Sequence, residues 1–313
     1  MPIDYIRGNR NKVSLENGWD KRQKRREGGR KKMELTKMSD GIYLIGVYGS
    51  FKVGLWLFES NGECALFEMP EADKEGESPA QIARKIIDQK GWKCKYLFLS
   101  HSHIDHSATI REFKEVFPEA TFPAHYSLPM YMRVSEHFWS KSKREDKPVE
   151  FEEAWKNIKG NDPLWYLSFF DSITVDDITC YGLGCEKIYM IYAPKHSLGD
   201  VHYIYRGCWF SGDWWLYEGD PSDDRIASSK AIISLNRLED FSILKDYRIH
   251  TVFPSHANNI LRNIDFHDII TRTRKYHEEL EEKRKDGYDW TKFGLKELYY
   301  WVFTVMEKQK SKK

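Results

Sequence analysis

Residues 97–110 read LFLSHSHIDHSATI. Three histidines and an aspartate, His101, His103, Asp105 and His106, occupy four of six positions directly after an apolar run. Imidazole nitrogens and carboxylate oxygens are the donors that divalent cations of borderline softness take. In extended chain, alternate side chains share a side, so His101 and His103 can grip one ion together. Once the chain turns, Asp105 and His106 can address a second position close by. One histidine at a strand end usually belongs to the core, but four donors at this spacing predict a metal centre.

Four residues do not complete a two-ion site, so other strand ends must contribute. Three places qualify. His196 in APKHSLGD follows the run KIYMIYAP, Asp213 in FSGDWW follows CWF, and His256 in FPSHANN follows TVF. Each is a polar donor that closes an apolar strand. His125, His137, His202, His250, His267 and His277 have no motif partner and are assigned no ligand role.

The elements around these residues alternate strand and helix. IYLIGVY (42–48), KVGLWLF (52–58) and ECALFEM (63–69) read as strands, with Ser60-Asn61-Gly62 as a turn between the last two. Ser78-Pro79-Ala80-Gln81 supplies an N-cap, a proline at the first helical position and a capping-box glutamine, and Gly91 closes the helix. KYLFLS then leads as a buried strand into the histidine cluster, and REFKEVF (111–117) is a short helix. After residue 170, ITCYGL, KIYMIYAP, the hairpin VHYIYRGCWFSGD and HTVFPSH read as sheet. The order is that of an α/β fold, whose sheets place chemistry at strand ends.

Two segments stand apart from the alternation. Residues 1–32 are basic and polar, which predicts a solvated tail; the purine-rich codons required for Arg26 to Gly29 also make Met33 a candidate natural start. Residues 127–170 interrupt the alternation as a helical insertion, in which Met130, Val134 and Phe138, then Phe151, Trp155 and Ile158, recur at helical spacing. With the run Trp165, Tyr166, Phe169 and Phe170, this composition fits a lid, faced by Trp214, Trp215 and Tyr217 as a wall beside the metals. The segment 264–313 is charged and helical, ending in LYYWVF.

Composition limits the function. The 313 residues carry 49 Lys+Arg against 48 Asp+Glu, so no net field recommends a nucleic acid as partner. No apolar segment is long enough to span a bilayer, and no signal-peptide core is present. Five cysteines without a C-x-x-C pair do not form a disulfide framework and fit a reducing cytoplasm.

On His101, His103, Asp105, His106, His196, Asp213 and His256 the chain resembles the metallo-β-lactamase fold superfamily over roughly residues 40–258. The resemblance implies an αβ/βα four-layer sandwich with the metals at one edge of the two sheets. It implies one ion held by His101, His103 and His196, another by Asp105, His106 and His256, and Asp213 bridging them. True β-lactamases lack the bridging aspartate, and flavodiiron proteins carry glutamate for the second histidine. The full set therefore resembles hydrolases of glyoxalase II, lactonase and tRNase Z type, although no distinct RNA-binding arm is present.

Two positions depart from the family pattern. Glu68 stands where an aspartate commonly ends an early strand, and is expected to orient the ligand loop. Asp200 stands where a histidine is frequent.

The function implied is hydrolysis by a hydroxide shared between two divalent ions, zinc first, with iron or manganese also suited to the donors. Asp105 is the expected proton carrier. The expected substrate is a small molecule containing a carboxylic ester, thioester or lactone. The alternatives are phosphodiester cleavage and iron-dependent oxygen chemistry of persulfide dioxygenase type.

Overall fold

A computed structural model describes residues 35–73, 76–133, 156–214, 228–257 and 260–285. Five strands, β1 (Thr36–Ser39), β2 (Ile42–Tyr48), β3 (Val53–Ser60), β4 (Glu63–Phe67) and β5 (Lys93–Phe98), form one sheet in sequential order. The first three pairings are antiparallel. β4 and β5 are parallel, joined by helix α1 (Pro79–Lys90). That helix starts where the sequence predicts: Ser78 Oγ accepts the N–H of Gln81, and Gly91 ends it at φ 66°.

Next in chain order come the turn α2 (Ile104–Ser107), α3 (Ile110–Val116), β6 (Pro123–His125), α4 (Trp165–Ser168) and β7 (Ser172–Thr174), with β6 and β7 forming a small parallel pair. The second large sheet contains β8 (Ile178–Leu183), β9 (Glu186–Tyr192), β10 (Val201–Tyr205), β11 (Cys208–Phe210), β12 (Thr251–Phe253) and β13 (Leu261–Arg262), in the order β13-β12-β11-β10-β9-β8. β11 and β12 are its parallel pair, linked by helix α5 (Ser228–Leu244), which the sequence reading missed. Helix α6 (Phe266–Lys285) follows β13.

Period-two alternation sorts the strand residues into three cores. Leu55, Leu57, Leu66 and Leu97 pack with Ala83, Ile87 and Phe113 of α1 and α3. Trp56, Phe58, Phe67 and Phe98 point the other way and meet Tyr203, Tyr205, Phe210 and Phe253 of the second sheet. Ile204, Trp209 and Val252 turn outward from that sheet onto Leu235, Leu238 and Phe241 of α5 and Ile270 of α6. Helix, sheet, sheet, helix is the four-layer sandwich expected. Each alternate Leu or Phe contributes about 1.5–3 kcal/mol by burial, so a one-residue slip of β3 would exchange two cores and is strongly disfavoured.

The described parts of the insertion pack against the body of the fold. Leu128, Met132, Ile158, Trp165, Tyr166, Phe169 and Phe170 are buried in the first core, while Met130 is exposed. The aromatic run therefore corrects the lid expectation: these rings cover α3 and the first sheet, because their apolar area finds more partners there than over a polar metal edge. Val134, Phe138, Phe151 and Trp155 lie outside the described residues.

Candidate metal centre

The two parallel pairs β4/β5 and β11/β12 run their C-terminal ends to one edge, and the predicted donors arrive there. His101 and His103 follow β5, His196 follows β9, Asp213 follows β11 and His256 follows β12. Val201 N–H donates to Ser100 O at 2.8 Å and Ser255 N–H to Gly212 O at 2.9 Å, so the donor loops are tied to one another. Gly212 has φ +59°, and a Cβ there would sit 3.2 Å from Ser100 Cβ. Only glycine makes the turn that delivers Asp213 while passing so close to the His101 loop.

Two groups of donors form. In the first, His101 Nε2 and His103 Nδ1 are 3.0 Å apart, and His196 Nε2 is 2.9 Å from His103 Nδ1. Tetrahedral bonds of roughly 2.0–2.1 Å would set such nitrogens about 3.3 Å apart, so the three rings converge as a shared cation requires. In the second, Asp105, His106, Asp213 and His256 bring one donor atom each within 4.8 Å of the others. His106 Nε2 lies 3.3 Å from Asp105 Oδ2 and 3.3 Å from Asp213 Oδ1. Asp213 stands between the groups: its Oδ2 is 3.2 Å from His256 Nε2, 3.5 Å from His196 Nε2 and 3.9 Å from His101 Nε2.

The donor set fits a pair of cations. His106 Nε2 and Asp213 Oδ1 are fully buried and make no hydrogen bond, a costly arrangement for a naked polar pair and a natural one for ligand atoms. Burial, with His106 and His103 nearby, pushes the His101 pKa well below the imidazole range, which leaves a lone pair free to coordinate. Burial opposes charge on Asp213 too, but His106, His256 and His101 outweigh it and hold the carboxyl well below its usual range. For His106 burial is overcome by Asp213, Asp105 and Glu68, which raise its pKa well above normal. His103, Asp105 and His256 are the partly exposed donors and mark the open side.

Glu68 ties the site together. Its carboxylate, fully buried, accepts from Ser255 Oγ and from Ser100 N–H at 3.4 Å, and lies 3.5 Å from His106 Nδ1. It therefore reaches the residues preceding His101 and His256 and the back of His106. Its backbone sits at φ 73°, a strained conformation for a glutamate. Asp200 Oδ2 accepts the N–H groups of Lys195, His196 and Ser197 at 2.9, 2.6 and 2.7 Å, so it shapes the loop that presents His196. Burial pushes its pKa up to about 6 despite those bonds.

Trp214 departs from expectation. It is buried in the third core, with ring centroids 5.5 Å from His202 and 6.0 Å from Trp209, and forms no wall at the donors. Past β11 the chain turns at Gly212, with Trp214 N–H donating to Ser211 O at 3.0 Å, so Asp213 reaches the edge while the next side chain enters the packing under α5. Trp215 and Tyr217 lie outside the described residues. The sequence reading also missed Tyr131, whose ring centroid is 6.3 Å from that of His103, and Phe51, whose carbonyl is 2.7 Å from His256 Nδ1. Neither carried a signal. Tyr131 falls off the 130/134/138 stripe, and Phe51 acts through its backbone.

Comparison with known proteins agrees with this architecture. The sequence profile described as "Metallo-beta-lactamase superfamily" matches residues 75–256. No curated protein matches by sequence. Among solved structures, DIM-1 metallo-beta-lactamase exposed to ceftazidime aligns with TM-score 0.53 at 12% identity, covering 80% of this chain and 99% of that one. TMB-1 aligns with TM-score 0.52 at 12% identity, covering 79% and 98%. A metallo-beta-lactamase family protein from Thermus thermophilus gives TM-score 0.49 at 16% identity, covering 80% and 81%. At 12% identity DIM-1 and TMB-1 speak for the fold alone, and the family rests on the profile, which spans more than half of the chain and ends on His256. The chain belongs to the metallo-beta-lactamase superfamily.

Proposed function

We propose that this protein is a dinuclear metal-dependent hydrolase acting on a small carboxylic ester, thioester or lactone. One observation carries the reading: Asp213 lies within 3.2–3.9 Å of histidines from both donor groups, so a single carboxylate can serve two cations. His101, His103 and His196 would hold one ion, and Asp105, His106 and His256 the other. Zinc matches the imidazole and carboxylate donors best. Bound there, the ions would activate a water near neutral pH and polarise the substrate carbonyl.

The chain's own residues set the rest. Asp105 presents Oδ2 to His106 and His256, which leaves Oδ1 to accept the proton of the attacking water and pass it on. Glu68 and Asp200 fix the ligand loops so that the donors need little reorganisation during reaction. Half-exposed Phe51 beside His256 and half-buried Tyr131 beside His103 flank the open side, which favours a compact, partly apolar organic substrate. A cytoplasmic setting accords with five cysteines left as free thiols. Among the described residues no helix is long and apolar enough to cross a membrane.

The test combines metal analysis with a panel of lactones, thioesters, aryl esters and phosphodiesters. Two zinc ions per chain and preference for the carboxyl compounds are expected. One iron per chain with oxygen consumption, or preferential phosphodiester cleavage, would overturn the proposal.

A further inference from the structure

A backbone group of the turn between β2 and β3, residues 49–52, reaches the candidate metal centre. Phe51 O lies 2.7 Å from His256 Nδ1. A carbonyl oxygen only accepts, so this contact puts the hydrogen on Nδ1 and leaves the Nε2 lone pair facing Asp213 and Asp105. What holds the turn is therefore what holds the tautomer of His256.

Glu71 supplies an anchor. Its Oε2 accepts from Ser50 Oγ at 3.1 Å and from Ser50 N–H at 3.3 Å. Asp73 Oδ1 accepts the neighbouring Gly49 N–H at 3.1 Å. Gly49 has φ +68°, and a Cβ there would come within 2.9 Å of Glu71 Oε2, so the glycine is what lets the carboxylate close onto the turn. The same Glu71 donates its backbone N–H to Asp105 O at 3.3 Å, and Met69 N–H donates to His106 O at 2.9 Å. Glu71 thus belongs at once to the segment that backs Asp105 and to the turn that backs His256. These two donors come from opposite sheets.

We propose that Glu71 is a positioning residue for the second donor group: through Ser50 and the Phe51 carbonyl it fixes His256 as the Nδ1–H tautomer and sets it in register with Asp105. The inference rests on the reading of Asp105, His106 and His256 as metal donors. It predicts a selective effect, because the relay runs to His256 and Asp105 and not to His101, His103 or His196. Loss of an outer-shell partner typically weakens metal binding about 10–100-fold.

The experiment uses the full chain, with Glu71→Ala and Glu71→Gln compared to the parent. Nitrogen-15 imidazole NMR of metal-free protein at alkaline pH, where the ring is neutral, should show the His256 proton on Nδ1 in slow exchange. Glu71→Ala should speed that exchange at least about tenfold, and Glu71→Gln, which keeps an acceptor oxygen for Ser50, should restore it. In zinc titrations against a competing chelator, Glu71→Ala should weaken one of two equivalents about tenfold or more and leave the other unchanged. A proton found on Nε2 in the parent, or unchanged exchange in Glu71→Ala, overturns the relay. So does equal weakening of both equivalents together with a lower melting temperature of the metal-free variant, which marks general loosening of the fold. A parent chain that takes up only one metal defeats the dinuclear reading by itself, and the NMR comparison still decides the relay.

Discussion

At Asp213 a single carboxylate faces the histidines of both donor groups, and its Oδ1 is buried without a hydrogen bond. Asp213→Asn removes the charge that compensates both cations and leaves a buried amide among imidazoles. Both metal equivalents should then bind more weakly by over about 100-fold, beyond the usual cost of losing an outer-shell partner. Chelator competition measures this, and two ions still held tightly would reject the bridge. Asp105 makes a separable prediction because its partly exposed carboxylate meets His106 and His256 through Oδ2. Asp105→Asn should lower kcat about 10²–10⁴-fold with KM nearly unchanged. An effect confined to KM would remove Asp105 from proton transfer.

Elements contribute through their ends. β4 stops at Phe67, and the next residue turns at positive φ so that its carboxylate enters the space between Ser100, Ser255 and His106. Glu68→Ala would leave the Ser100 N–H and Ser255 Oγ without their acceptor and remove the carboxylate beside His106, at a cost of about 3–5 kcal/mol, read from denaturant unfolding of the metal-free protein. A loss below about 1 kcal/mol would show that the ligand loops hold without it. In β10, His202 is buried against Trp209, whose Nε1–H donates to His202 Nδ1 at 2.8 Å. Burial pushes its pKa down to about 3 from 6.5, so between those values the unfolded chain binds the proton and the folded one does not. The stability this histidine contributes is complete above pH 6.5 and is lost as pH falls, at up to about 1.4 kcal/mol per pH unit. His202→Gln should flatten the dependence of the unfolding midpoint between about pH 6 and 4, whereas an unchanged slope would mean that other groups govern it.

For the molecule as a whole, the candidate metal centre sits where two sheets meet, with three acidic side chains, Glu68, Asp105 and Asp213, around His106. Imidazoles face all three of these carboxylates, so ions bound to the folded state, which would add positive charge there, should stabilise it strongly. Occupancy at about a thousand times Kd contributes about 4 kcal/mol per site. At roughly 2–4 °C per kcal/mol for a domain of this size, chelation should lower Tm by about 10 °C or more, and added zinc should restore it. A melting temperature indifferent to chelator would argue against resident metals. Scanning calorimetry with and without chelator provides the measurement.

The donors were legible in the sequence because each is a polar group that breaks off an apolar run, a local signal that needs no knowledge of what lies across the fold. The same locality made the strands and the α1 caps readable. The groups that act across the chain were not legible. Trp214 and Trp165 looked like pocket walls by composition, and only their neighbours in space make them core. The contacts from Glu71 to Ser50 and from Phe51 to His256 join residues 21 and 205 positions apart, and one of them uses a backbone carbonyl that every residue type carries. By itself the sequence determined which atoms could coordinate and in what order they come along the chain. The tertiary structure decided which of them come within reach of one another and what holds them there, because distance between side chains is set by how the two sheets pack, a property no local pattern encodes.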